Sequence, residues 1–169
     1  MNYFEFYGLR ISFYLDKKEL RKKYIQISKA CHPDFYTADS AVSQEQALQK
    51  SSFNNKAYNI LKDDRQRIKY VLDITLVEPS KKQVPPDFLM EMMEINEQVM
   101  NAIMEDDTSS KEALKLKIQS IDHSLQDQLE IQCRSYDSQK DPSLLLTIQE
   151  LLLKLQYMDR LLQNSQLFS

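Results

Sequence analysis

This chain has a single glycine among 169 residues, five prolines, two cysteines, two histidines and no tryptophan. Sheets joined by tight turns need turn residues every few positions, so the scarcity of glycine, with plentiful Leu, Gln, Lys, Glu and Met, points to an all-α protein. Cys31 and Cys133 are too few and too far apart for a disulfide framework or a four-ligand zinc site, and read as packing residues in a reducing compartment. No apolar run is long enough to cross a bilayer, and Met1-Asn2-Tyr3-Phe4-Glu5 lacks the basic and apolar segments of a signal peptide, so a cytoplasmic location away from membranes is expected. The chain has no glycine-rich phosphate loop, no His-Glu-x-x-His and no second histidine at metal-ligand spacing, which argues against an enzyme, a metal site or any other cofactor.

Charge is unevenly placed. Between Lys17 and Lys29 lie Lys17, Lys18, Arg21, Lys22, Lys23 and Lys29 against the one acid Glu19. From Gln83 to Ser110 there is no Lys or Arg, whereas Asp87, Glu91, Glu94, Glu97, Glu105, Asp106 and Asp107 are acidic. Two surfaces of opposite sign suggest two different partners. A basic helix can also neutralise nucleic-acid phosphates, but the chain as a whole is acidic and a salt-sensitive protein contact explains the pattern equally well.

In chain order, Tyr3 to Leu9 is aromatic-rich and reaches the one glycine, Gly8, which suits a short helical turn closed by a residue that tolerates positive φ. Asp16, with Glu19 three residues on and Leu15 and Leu20 placed as a staple, predicts a helix start, and Leu20, Tyr24, Ile27 and Cys31 form its buried stripe. Pro33 should end that helix near His32, with an exposed loop from Asp34 to Ser43. A third helix over 44–62 is expected to turn Leu48, Phe53, Ala57, Ile60 and Leu61 inward, and a fourth should end before Glu78-Pro79. Cys31 and His32 are not a nucleophile–base pair, because adjacent helical residues point in different directions.

The segment 78–85 is proline-rich and nearly devoid of apolar residues, which predicts a linker between a domain over 1–77 and a second over 86–169. The second should be three antiparallel helices, over about 86–104, 110–136 and 142–165. On the first, Phe88, Met92, Ile95, Val99 and Ile103 share one stripe, while Leu89, Met93, Met100 and Met104 form another about 100° away, with Met90, Glu94 and Glu97 beyond. On the last, Leu144, Ile148, Leu151, Leu155, Met158 and Leu162 make the core stripe, with Leu146, Leu153 and Tyr157 roughly opposite. The middle helix repeats Leu114, Ile118, Ile121, Leu125, Leu129 and Cys133, and the lone His123 off that face has no assigned role. Surplus apolar residues rimmed by carboxylates fit a protein-binding surface, and equally fit a wide face that is simply buried more deeply.

A short helix, a basic helix ending in His32-Pro33-Asp34, a loop and a third helix carrying Asn55-Lys56-Ala57-Tyr58 and Leu61 together resemble the J-domain of the DnaJ class. Tyr3-Phe4, Gly8-Leu9, Phe35, Arg67, Tyr70, Leu72, the run Phe88-Leu89-Met90-Glu91 with Met93-Glu94, and Lys154 to Leu161 extend the likeness to the HscB or Jac-type co-chaperones of iron-sulfur cluster assembly. The resemblance implies an L-shaped molecule, a J-domain joined to a three-helix bundle. It also implies two partners. A seventy-kilodalton heat-shock chaperone of the HscA or DnaK type, its ATPase stimulated, would bind His32, Pro33, Asp34, Lys18, Arg21, Lys22 and Lys29. A cluster scaffold protein of the IscU type would bind Leu89, Met90, Met93, Glu94, Glu97 and Tyr157. Asn101, where relatives often carry an acid, and Phe35, where many carry Lys, depart from the pattern. The alternative is a J-domain co-chaperone with another client, or with a bundle that self-associates.

Overall fold

The computed structural model describes residues 1–31, 41–76 and 83–164. His32, Pro33, Asp34 and Phe35 lie outside the described residues, as do residues 78–82 of the expected linker. Among the described residues every regular element is a helix: α1 (Tyr3–Phe6), α2 (Lys17–Ala30), α3 (Ala41–Lys62), α4 (Asp64–Thr75), α5 (Pro86–Met104), α6 (Thr108–Gln139) and α7 (Ser143–Asn164). Two compact units form, Met1–Thr75 and Leu76–Ser169. Of the described helices, none is long and apolar enough to cross a membrane. Nor do the described residues include a group of three or more His, Cys, Asp or Glu that could hold a metal ion.

In the first unit α2 and α3 pack together, and α4 packs on α3. Asn2 and Glu5 close a capping box on α1, with the Asn2 side chain accepting from Glu5 N–H at 2.9 Å and Asn2 N–H donating to Glu5 Oε2 at 2.9 Å. Gly8 takes φ +60 just past the helix end, a conformation that costs a residue without a Cβ no steric strain. Asp16 caps α2 as its position predicts, accepting from Lys18 and Glu19 N–H. Leu20 and Cys31 are buried on the expected stripe, with Tyr24 and Ile27 half-buried beside them.

The phase of α3 differs from the expected one. Leu48 is 69% exposed, and Ala47 and Asn54 are buried with Ala57 and Leu61. A stripe through Ala57 and Leu61 continues back at three- and four-residue steps through Asn54 to Ala47, leaving Leu48 about 100° away from it. Phe53 and Ile60 are half-buried, Phe53 edge-on to Tyr3 and Phe6. The helix also begins at Ala41, ahead of the expected Gln44.

Asn54 holds its buried place through hydrogen bonds. Its Oδ1 accepts from the Tyr7 hydroxyl at 2.7 Å, and its Nδ2 lies 3.1 Å from Tyr24 O and 2.9 Å from Ser28 Oγ, so one amide ties together the segment after α1, α2 and α3. Arg67 on α4 is the other buried polar residue, 2% exposed. Its Nε donates to Phe13 O at 2.8 Å, its Nη1 to Leu61 O at 2.7 Å and its Nη2 to Asp64 Oδ1 at 2.5 Å.

The second unit packs α5 and α7 on α6. Phe88, Met92, Ile95 and Val99 are buried on α5, with Ala102 where Ile103 was expected; Ile103 is half-buried. On α6 Leu114, Ile118, Leu125, Leu129 and Cys133 are buried and Ile121 half-buried. This helix is longer than expected at both ends: Asp107 caps it through Ser109 and Ser110 N–H, and it continues to Gln139 before Lys140 turns it off at φ 56. On α7 the core takes Leu145, Ile148, Leu151, Leu152, Leu155, Met158 and Leu161, and Leu144 and Leu162 are only half-buried. The helix buries a wider arc than one stripe, which a run of consecutive leucines permits.

Candidate functional site

The cations of α2 fall into two groups. Lys17 Nζ is 2.8 Å from Asp64 Oδ2, and Lys23 Nζ donates to Tyr7 O at 2.8 Å and lies 3.7 Å from Glu19. These two brace the fold. Lys18, Arg21, Lys22 and Lys29 are exposed, and among the described residues the side chain of none of the four makes a hydrogen bond or ion pair. At about 100° per residue they span about 100° of the helix circumference, centred roughly opposite Leu20 and Cys31. Among the described residues, the packing of the hairpin thus leaves a row of exposed positive charge without a side-chain partner. His32, Pro33 and Asp34, the rest of the expected chaperone-binding set, lie just beyond the described end of this helix.

Asp64 organises the base of that hairpin. Its partial burial alone would raise the carboxyl pKa, but hydrogen bonds from Lys17 and Arg67, and their charges, outweigh it and hold the group below the usual carboxylate range. Tyr7 moves the other way: burial, then the neighbouring Tyr24 and Tyr58, pushes its hydroxyl far above the ordinary value, so it stays a neutral donor to Asn54. Tyr24 and Tyr58 stack 4.1 Å apart across α2 and α3.

On α5 the second apolar stripe, Leu89 apart, remains exposed within this unit, together with Met90 beside it. Met90, Met93, Met100 and Met104 are 61%, 67%, 64% and 81% exposed. They line one shallow groove with Glu94, Glu97 and Asn101. Of the six expected scaffold-binding residues, Met90, Met93, Glu94 and Glu97 come together there. Leu89 and Tyr157 do not line it. Both are half-buried, and Tyr157 packs edge-on against Phe88 at 6.0 Å between ring centroids. On α7 Leu153 is likewise half-buried and Leu146 is 55% exposed, so most of the apolar surplus of that helix is absorbed by packing. Met100 and Met104 belong to the groove although the expected scaffold-binding set omitted them. Their signal was the same i, i+7, i+11 spacing from Met93.

Local sequence explains why the stripe exists. Pro85 and Pro86 open α5 without needing backbone donors, no Lys or Arg interrupts it, and its methionines are good helix formers with flexible side chains. Burying one such side chain is worth about 1.5–3 kcal/mol. Four left in water are stability the fold does not collect by itself.

Comparison with known proteins fits this division into two units. Residues 3–70 match the DnaJ domain, so the first unit is a J-domain. Residues 84–165 match the HSCB C-terminal oligomerisation domain. The co-chaperone protein HscB homolog of Colwellia psychrerythraea is 34% identical over 124 residues, 72% of this chain and 69% of that relative. The Vibrio cholerae serotype O1 homolog is 37% identical over 102 residues, a stretch that spans 59% of this chain and 60% of the relative's length. The solved structure of chaperone HscB from Vibrio cholerae superposes with a TM-score of 0.68 at 29% identity, covering 98% of this chain and 95% of that one. Human co-chaperone protein HscB shares the fold, with a TM-score of 0.71 at 24% identity over 99% and 81% of the two chains. The chain belongs to the HscB family of J-domain co-chaperones.

Proposed function

We propose that this protein stimulates the ATPase of a seventy-kilodalton heat-shock chaperone of the HscA or DnaK type and delivers to it the scaffold protein, of the IscU type, on which iron-sulfur clusters are built. The observation that carries the reading is the α5 groove: a row of exposed methionines with a carboxylate rim, on the family's C-terminal domain. A surface of this kind suits a partner presenting apolar side chains beside cations. The exposed cations Lys18, Arg21, Lys22 and Lys29 suit an acidic chaperone surface.

In this mechanism α2 docks through its positive row, and Asp34 supplies the charge-assisted contact that couples docking to hydrolysis. His32 and Pro33 belong to the same contact. Met90, Met93, Glu94 and Glu97 hold the scaffold, with Leu89 and Tyr157 supporting them from the side of the bundle core. Carrying both surfaces on one chain raises the effective concentration of scaffold at the chaperone. The chain makes and breaks no bond, holds no cofactor and works in the cytoplasm, with neither nucleic acid nor membrane as a partner.

The test is a pair of variants. Asp34→Asn should abolish ATPase stimulation and leave scaffold binding intact. Met90→Ala with Met93→Ala should weaken scaffold binding about tenfold or more, the loss of about 1.4 kcal/mol, while stimulation without scaffold persists. Undiminished stimulation by the first, or undiminished scaffold affinity in the second, refutes the corresponding role. A second reading, favoured by the oligomerisation named in the matching domain family, is that the bundle binds another copy of itself. Sedimentation equilibrium of the full chain separates the two.

A further inference from the structure

The seven methionines of the chain are concentrated on one helix: Met90, Met92, Met93, Met100 and Met104 lie on α5. Four of these five thioethers are more than 60% exposed, whereas Met92 and Met158 are fully buried at 0%. The two thiols, the usual targets of oxidants, are shielded, with Cys31 5% and Cys133 0% exposed. A small oxidant therefore meets the sulfurs of the α5 groove before it meets any cysteine or any core methionine.

We propose that the exposed row Met90, Met93, Met100 and Met104 is a modification site for hydroperoxides, and that its conversion to methionine sulfoxide switches off docking of the scaffold on this face. The inference rests on the docking function proposed above. In the step, the thioether sulfur attacks one peroxide oxygen, the O–O bond breaks and an S–O bond forms. The sulfur is oxidised by two electrons, and hydrogen peroxide is reduced to one water. No cofactor is required.

The consequence follows from what the face offers a partner. A thioether is apolar and deformable; a sulfoxide is polar and carries an acceptor oxygen that must find a donor once buried. Glu94 and Glu97 on the rim carry acceptor carboxylates that cannot satisfy it, and of the lining residues Asn96 and Asn101 alone offer donor amides, two side chains for four sulfoxides. Four such groups on one contact surface turn an apolar strip into a polar one without touching the core. Sulfoxides are reducible, so the state reverses when reductase acts. A co-chaperone so built withholds its cargo under peroxide, when exposed iron-sulfur clusters are at greatest risk.

The full-length protein is treated with hydrogen peroxide, the peroxide is destroyed with catalase, and only then is the untreated scaffold titrated in. Peptide mass spectrometry should show one added oxygen at Met90, Met93, Met100 and Met104, and at the exposed Met1, with Met92 and Met158 spared. Circular dichroism should be unchanged, scaffold affinity should fall at least tenfold, and methionine sulfoxide reductases should restore it. The variant Met90→Leu, Met93→Leu, Met100→Leu, Met104→Leu keeps the apolar volume, and its scaffold affinity, whatever its level relative to wild type, should be the same before and after peroxide. Unchanged affinity in the fully sulfoxidised wild type overturns the switch and leaves the docking function standing. A loss of affinity that persists in the leucine variant, or that accompanies loss of helicity, also overturns the switch. Reduced wild type that fails to bind scaffold at all overturns the docking function, and the switch with it.

Discussion

Replacing Arg67 with Met removes the guanidinium from the J-domain while keeping most of its aliphatic stem. The side chain is 2% exposed and donates to Phe13 O, Leu61 O and Asp64 Oδ1. The two carbonyls would be left buried without those donors, at about 1–3 kcal/mol each. The Asp64 contact adds little, because that carboxylate is 60% exposed and keeps Lys17 as a partner. The sum is a loss of about 2–6 kcal/mol, a large part of the stability available to a unit of this size. The effect should be confined to Met1–Thr75. Peptide-resolved hydrogen exchange on the full chain is the suitable assay: exchange in α2, α3 and α4 should accelerate by at least about thirtyfold, with α6 and α7 unchanged. Because seven of the nine tyrosines precede residue 75, the tyrosine signal in urea should show an earlier transition for the same unit. A shift below about 1 kcal/mol would refute the reasoning, since it would mean that water replaces the guanidinium at those carbonyls at no cost.

Asn54→Ala should cost about 2–3 kcal/mol in the same unit, because the Tyr7 hydroxyl loses its 2.7 Å acceptor and Tyr24 O and Ser28 Oγ lose their amide; urea denaturation reads it. Asp64 gives a pH dependence of known sign. Its folded pKa lies below the ordinary value, so its contribution is present above the unfolded carboxylate pKa of about 3.9 and is lost as pH falls through the lower folded value. The stability difference between wild type and Asp64→Asn should therefore shrink below about pH 4, and a difference that stays constant with pH contradicts the assignment.

The helices were legible in the sequence wherever apolar spacing had one phase. Pro86–Met104 begins and ends where the sequence predicts, because two prolines open it, and Phe88, Met92, Ile95 and Val99 face inward as their spacing predicts. Where several phases compete, local pattern chose badly. On α3 the large Leu48 looked like core and the polar Asn54 did not, yet Asn54 is held inside by Tyr7, 47 residues away, a partner no local window contains. On α7 the triplets 144–146 and 151–153 are all leucine, and only contact with two neighbouring helices decides which of them face inward. Arg67 stood out as part of a family resemblance, but nothing in the local charge pattern distinguishes it from Lys62, Arg65 and Lys69 around it. The α5 groove was readable as surplus apolar surface; that Leu89 and Tyr157 stand apart from it was not, since it depends on the packing of Tyr157 against Phe88.

The central claim is that two surfaces on one chain serve two partners and act only when joined. Chaperone ATP hydrolysis, measured with scaffold present, tests it with two full-length variants: Arg21→Glu with Lys22→Glu on α2, and Met90→Glu with Met93→Glu on α5. Each should lose the scaffold-dependent stimulation given by the wild type, the first by failing to dock on the chaperone and the second by failing to hold the scaffold. Mixed together, the two variants should remain defective, because neither chain carries both surfaces. Recovery of wild-type stimulation by the mixture would contradict the account.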